Sequence, residues 1–211
     1  MKKILLLFVL ATASLTAFAQ LPTFGIKGGL NFANMTISAQ GSSLSISTGT
    51  LTTFSVGAFA DFKSSSNVSI QPGINYTGRG GSIDGDEGTN AKFKLFYLQV
   101  PVDIVYHIPV LVGHIYLGGG PYAEIGLNGT ESGNDGTQTI SQDVKFGNDG
   151  DFKSSGFGLN FIGGIQFKSG LLLGLNYDLG LTNMLSDASS NNGEGKFKSG
   201  VFGVSIGYSF K

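Results

Sequence analysis

The chain has 211 residues, of which 34 are glycine and only 13% are charged, with 13 basic against 14 acidic side chains and no cysteine or tryptophan. Charge at this level is about half that of an ordinary globular domain. A disulfide or thiolate-metal framework is excluded. So is a collagen-like repeat, because the glycines have no three-residue period, and so is a disordered chain, because 41% of residues are apolar. The balanced charge leaves no basic excess for gripping a phosphate backbone, so nucleic acid is not an expected partner.

At the N-terminus, Lys2 and Lys3 precede an apolar run from Ile4 to Ala11, and Ala17-Phe18-Ala19 then precedes Gln20. That order predicts a secretory signal peptide over residues 1–19, cleaved after Ala19, with residues 20–211 as one mature domain. The run is too short for a bilayer anchor. No cysteine stands near the site for lipid attachment.

From there on, apolar and small or polar residues alternate with period two, the mark of strands with one apolar face. Phe24, Ile26, Leu30 and Phe32 oppose Lys27 and Asn31. Phe54, Val56, Ala58, Ala60 and Phe62 oppose Thr53, Ser55, Asp61 and Lys63. Val68, Ile70, Ile74 and Tyr76 oppose Ser69, Gln71, Asn75, Thr77 and Arg79. Phe96, Leu98, Val100, Val102, Ile104 and Tyr106 oppose Tyr97, Gln99, Asp103 and His107. Ile115, Leu117, Ala123, Ile125 and Leu127 oppose His114, Tyr116, Tyr122 and Glu124. Phe157, Leu159, Phe161, Ile165 and Phe167 oppose Asn160, Gln166 and Lys168. Leu171, Leu173, Leu175, Tyr177, Leu179 and Leu181 oppose Gly174, Asn176, Asp178, Gly180 and Thr182. Finally, Phe202, Val204, Ile206, Tyr208 and Phe210 oppose Gly203, Ser205, Gly207 and Ser209.

Eight strands of about 10–14 residues follow, close to the length a tilted strand needs to cross a bilayer. The connections alternate between long (residues 36–50, 81–91, 128–155 and 185–197) and short (64–67, 108–113 and 169–170). Long loops at one end and tight turns at the other are the pattern of an outer-membrane barrel. The predicted fold is therefore all-β, an eight-stranded antiparallel transmembrane up-and-down β-barrel in the bacterial outer membrane, with both termini in the periplasm. The alternation does not by itself say which face points inward; a soluble lipocalin-like carrier would reverse the faces.

A barrel of eight strands has an interior that side chains just fill. A plugged polar lumen is expected, with Lys27, Asp61, Arg79, Asp103, Glu124 and Asp178 forming a paired network. Interior glycines such as Gly57, Gly120, Gly174 and Gly203 would make room for the larger polar side chains. Phe24, Phe62, Tyr76, Phe96, Tyr106, Phe157, Phe167 and Phe210 would form interfacial girdles in contact with outer-membrane lipid.

Three segments carry a family resemblance. Gly25-Ile26-Lys27-Gly28-Gly29-Leu30-Asn31-Phe32-Ala33-Asn34 resembles the first strand of PorT-like outer-membrane β-barrels of the Bacteroidetes type. Ile70-Gln71-Pro72-Gly73-Ile74-Asn75-Tyr76 resembles the third strand of that family, and Phe96-Tyr97-Leu98-Gln99-Val100-Pro101-Val102 the fourth. Phe202, Val204, Ile206, Tyr208 and Phe210 resemble the terminal signal read by the barrel insertion machinery, although Lys211 follows the last aromatic. The resemblance implies an integral outer-membrane protein and defines no catalytic residues.

Two further groups are candidates for chemistry. Asp84-Gly85-Asp86-Glu87 and Asn148-Asp149-Gly150-Asp151 gather oxygens that calcium favours, but neither has EF-hand spacing, and both read as ordinary turns. His107 and His114 flank a short turn with no third metal ligand evident, and no G-x-S-x-G elbow accompanies them. No cofactor and no enzymatic activity are expected. The expected role is structural or interaction-based, through the four long loops and an extracellular or envelope partner. The residues 128–155 would be the main contact surface, mobile until bound. The alternatives are a component of a secretion or envelope-assembly system and a small lipid-active enzyme or transport barrel.

Overall fold

The computed structural model describes residues 21–39, 45–84, 89–134, 138–147, 150–185 and 195–210. The expected signal peptide lies outside these residues, as do most of Asp84–Glu87 and the pair Asn148-Asp149. Eight strands make the wall: β1 (Thr23–Ala39), β3 (Leu51–Lys63), β4 (Val68–Asp84), β5 (Asn90–Val110), β6 (Gly113–Asn134), β8 (Ser155–Phe167), β9 (Leu171–Gly180) and β10 (Gly195–Ser209). Each pairs antiparallel with its neighbours, and β10 returns to β1, from Gly25↔Ser209 to Ala39↔Gly195, so the sheet closes. Two short strands, β2 (Ser45–Ser47) and β7 (Thr139–Asp143), add to β1 and β6 beyond the wall.

The apolar face points outward. Phe24, Ile26 and Leu30 on β1, Ile104 on β5, Leu117 and Ile125 on β6, Phe157 on β8 and Ile206 on β10 are all exposed, while Asn31, Arg79, Gln99, Asp103, Glu124, Asn160 and Asp178 are buried. In water this arrangement would strand a continuous apolar belt; in lipid it is the stable one. Closure matters equally, because an open sheet edge has no partner in hydrocarbon.

Five of the eight wall strands, β1, β4, β5, β6 and β10, are longer than the alternation predicts, up to 22 residues in β6, while β3, β8 and β9 have the expected length. The ladder runs on to Asp84↔Asn90 and Asn90↔Asn134. Much of the segments 81–91 and 128–155, expected as loops, is therefore sheet. On these extensions and the adjoining start of β5 the outward residues are Lys92, Lys94, Thr130 and Ser132, so the apolar signal stops although backbone pairing continues. At the other end, β5 extends through Val110, which leaves only Leu111-Val112 as the turn before β6.

The core has two parts. The middle of the lumen is polar. The mouth at the long-loop end is not: Met35, Leu95, Tyr97, Val144, Phe152 and Met184 form a buried apolar cluster, with Phe93, Phe146 and Phe197 against it. Val144, Phe146 and Phe152 come from the segment between β7 and β8, which folds over the opening and is held by Val144 N–H to Gly129 O and Lys153 N–H to Met184 O. The expectation of a wholly polar plug is corrected here, and Val144, Phe146 and Phe152 of the segment 128–155 are packed into the mouth. Side chains too apolar for water close the mouth by burial in one another.

Candidate functional site

The lumen is organised around Arg79, the largest fully buried side chain, carried inward on β4. Its Nε donates to Glu124 Oε2 at 2.8 Å, Nη1 to Ser199 Oγ at 2.9 Å and Nη2 to Asp178 Oδ2 at 3.4 Å. The guanidinium also lies over the Tyr122 ring, 5.1 Å from its centroid. Asp178 collects further donors: Gln99 Nε2 at 2.7 Å, Asn160 Nδ2 at 2.5 Å and Asn176 Nδ2 at 3.4 Å. Asn75 Nδ2 donates in turn to Gln99 Oε1 at 3.0 Å. A second knot joins Asn31 Nδ2 to Thr77 Oγ1 at 2.9 Å and Ser55 Oγ to Asn31 Oδ1 at 3.3 Å. Together the two knots tie all eight wall strands across the lumen. Burying these charges is costly unless each is paired and hydrogen-bonded, which this geometry achieves for Arg79, Glu124 and Asp178. The planar guanidinium suits the task because its several donors leave in fixed directions.

Of the six residues expected to form one network, three therefore meet: Arg79, Glu124 and Asp178. Lys27 lies within electrostatic reach of Asp103 and Asp178, without a direct hydrogen bond to either among the described residues. Asp103 is buried and its Oδ1 has no hydrogen-bond partner among the described residues. Asp61 is separate, which corrects the single-network expectation. It sits near the tight-turn end, where Gln71 Nε2 donates to its Oδ2 at 3.2 Å and His107 Nε2 stands 3.5 Å away. The reason is the tilt of the strands: equal inward parity on two strands does not put residues at equal height.

Below the Arg79 cluster the free space is small. One cavity of about 30 Å³ is lined by Lys27, Phe59, Gln71, His107 and Tyr116, among others, and another of about 20 Å³ by Lys27, Asn75, Gln99 and Asp178. Each has room for a water or two and not for a solute. Phe59 is a buried aromatic that the alternation does not flag; its ring lies against Gly25, whose missing side chain makes the space.

The tight-turn end opens as a vestibule of about 160 Å³ lined by Asp61, Lys63, His107, His114, Gln166 and Ser209, among others. The His107 and His114 rings meet edge to face, 6.3 Å between centroids. His114, beside the turn, holds a proton less readily than a free imidazole, first through partial burial and then through the neighbouring His107 and Lys63 charges. Ser69 Oγ is 2.8 Å from His107 Nε2, the same nitrogen that faces Asp61. A hydrolytic triad needs the serine on one ring nitrogen and the acid on the other. This cluster lacks that division, and Ser69 is fully buried. Among the described residues no group of three His, Cys, Asp or Glu side chains is placed to hold a metal ion.

The five residues expected to form a terminal insertion signal, Phe202, Val204, Ile206, Tyr208 and Phe210, all face outward on the β10 side of the closing seam, where Phe210 N–H bonds Phe24 O at 2.7 Å. Gln99, Tyr122 and Asn160 belong to the polar faces that the alternation marks, and that placement is the sequence signal for their part in the network. Ser199 and the apolar lid carried no such signal.

A family model described as outer membrane protein beta-barrel domain matches residues 18–186. Solved structures with similarity include the attachment invasion locus protein Ail of Yersinia pestis, at 15% identity, covering 90% of this chain and 100% of that one, with a TM-score of 0.42. Neisserial surface protein A is 13% identical, with coverage of 89% and 97% and a TM-score of 0.45. OprG of Pseudomonas aeruginosa is 12% identical, with coverage of 90% and 97% and a TM-score of 0.46. No curated protein sequence matches the chain.

Proposed function

Because the chain belongs to the outer membrane protein beta-barrel domain family, and so resides in the bacterial outer membrane, we propose that it is a non-conducting envelope protein that acts by binding at its long-loop end. The observation that carries this reading is the double closure of the lumen, by the Arg79 network in the middle and by the Val144, Phe146 and Phe152 lid at the mouth. In outer-membrane barrels the tight turns lie in the periplasm and the long loops outside. On that orientation the vestibule faces the periplasm and the lid faces the medium. The exposed strand β7 and the ends of β4, β5 and β6 then stand outside the membrane as the surface available to a partner.

The Ser69, His107 and Asp61 group does not have the geometry of a hydrolytic triad, since Ser69 and Asp61 address one nitrogen of His107. Within the family we read the chain as PorT-like, on the segments Gly25–Asn34, Ile70–Tyr76 and Phe96–Val102. That reading favours a partner belonging to a secretion or envelope-assembly system over a soluble ligand.

Planar-bilayer recording of the reconstituted protein tests the closed lumen. The expected result is no stable conductance step in molar salt. Large, long-lived steps in the intact protein would overturn the proposal. Removing the lid alone should not open the barrel, because the Arg79 network below it remains.

A further inference from the structure

One outward patch differs from the rest of the apolar belt. Phe54 on β3, Tyr76 on β4 and Phe96 on β5 form a three-ring group, with centroids 5.9 Å apart for Phe54–Tyr76, 5.2 Å for Phe54–Phe96 and 4.9 Å for Tyr76–Phe96, the last pair stacked at 7°. The register explains how rings two strands apart can touch. Gly78 pairs with Phe96, and the ladder beyond Ser55↔Thr77 brings Phe54 to its other side. Gly78 has no side chain to separate them, and a Cβ there would meet Thr53 at 2.6 Å and Phe96 at 3.1 Å. Asn128 on β6, which pairs with Phe96, reaches the Tyr76 hydroxyl at 3.5 Å.

The chemistry changes in the next rows toward the long-loop end. Lys94 pairs with Gly80 on one side and Thr130 on the other, and Lys92 with Ser82 and Ser132. The Lys94 ammonium stands 5.5 Å from the Phe96 ring centroid. Neither lysine meets a carboxylate among the described residues. Ser132 and Ser141 add hydroxyls 3.0 Å apart in the same outer row. A lipid-facing aromatic platform, capped by two lysines that meet no carboxylate among the described residues and by a row of hydroxyls, matches a molecule that is greasy below and both phosphorylated and sugar-like above.

We infer that this face of β3–β7 is a binding site for a phosphate-bearing glycolipid of the outer leaflet. The acyl chains would lie along Phe54, Tyr76 and Phe96, and the phosphate would sit between Lys92 and Lys94. The inference needs only the barrel's place in the membrane, not the closed lumen. Lipid is the source to expect rather than free phosphate, because the lysines sit directly above the rings and a soluble anion would leave the rings unused.

The test is native mass spectrometry of the full mature protein released from phosphatidylcholine nanodiscs containing a small fraction of a bisphosphorylated, acylated glucosamine disaccharide. Parallel samples carry the dephosphorylated form of that lipid. The expected result is retention of the phosphorylated lipid alone. Lys94→Gln and Lys92→Gln should each lower retention roughly fivefold, Lys94→Arg should keep it, and Phe96→Leu should lower retention of the same lipid. An unboiled gel shift checks that every variant is folded. Equal retention of both lipids, or no effect of the lysine variants, would overturn the site. Displacement of the lipid by millimolar inorganic phosphate would overturn the lipid assignment.

Discussion

Arg79 draws two buried carboxylates into one contact set. With one cation against Glu124 and Asp178, its removal would leave two buried carboxylates without their cation. Breaking a buried pair in this way costs about 3–5 kcal/mol. Arg79→Leu should therefore lower unfolding stability by about that amount in urea titrations from lipid vesicles. Adding Glu124→Gln and Asp178→Asn to Arg79→Leu should restore most of the loss; if the triple variant is no more stable than the single one, the charge argument fails. At this scale the sequence was informative about direction and silent about height. Asp61, Asp103 and Asp178 all stand on inward positions, but only the tilt of the closed sheet decides that Asp178 meets Arg79 while Asp61 meets His107.

Among the elements, the lid and the last strand carry separate consequences. Phe152 is 5% exposed within the apolar cluster. Phe152→Ala should cost about 3–5 kcal/mol locally and make Lys145 and Lys153 faster sites for trypsin, with the barrel wall still protected. Cleavage at the wild-type rate would show that the lid is held by something else. The terminal strand should act earlier, during assembly. Tyr208→Ser with Phe210→Ser should slow insertion by the assembly machinery in a reconstituted assay, and unchanged kinetics would remove these residues from the signal. The strand faces were legible because lipid imposes one simple demand on every second residue. The lid was not, because Val144, Phe146 and Phe152 lie in a stretch rich in Gly, Asn and Asp with no periodicity to mark them. Strand ends were misjudged for a related reason. Past the bilayer the backbone still pairs, as at Asn90↔Asn134, but the outward side chains no longer need to be apolar.

For the molecule as a whole, closure governs behaviour. Every wall strand has two partners, so unfolding must open the β1–β10 seam or another seam at once. The folded protein should resist dodecyl sulfate at room temperature and migrate faster unboiled than boiled; a single band under both conditions would argue against a closed barrel. The scarcity of charge and the abundance of glycine fit this design. Within the bilayer the outward face cannot carry charge, and the inward face makes space for large polar groups such as Tyr116 where glycines such as Gly164 and Gly174 lie opposite.

The hydrogen bond from Phe210 to Phe24 also places the two ends of the described chain side by side on the same rim. An even number of crossings makes this unavoidable, and it means the wall has no intrinsic first strand. A short peptide joining residues 21 and 210, with new ends opened at the Ser64–Asn67 turn, would preserve every neighbour relation in the ring. Such a circular permutant would begin at β4, finish at β3 and place another hairpin's strands at the head and tail of the polypeptide.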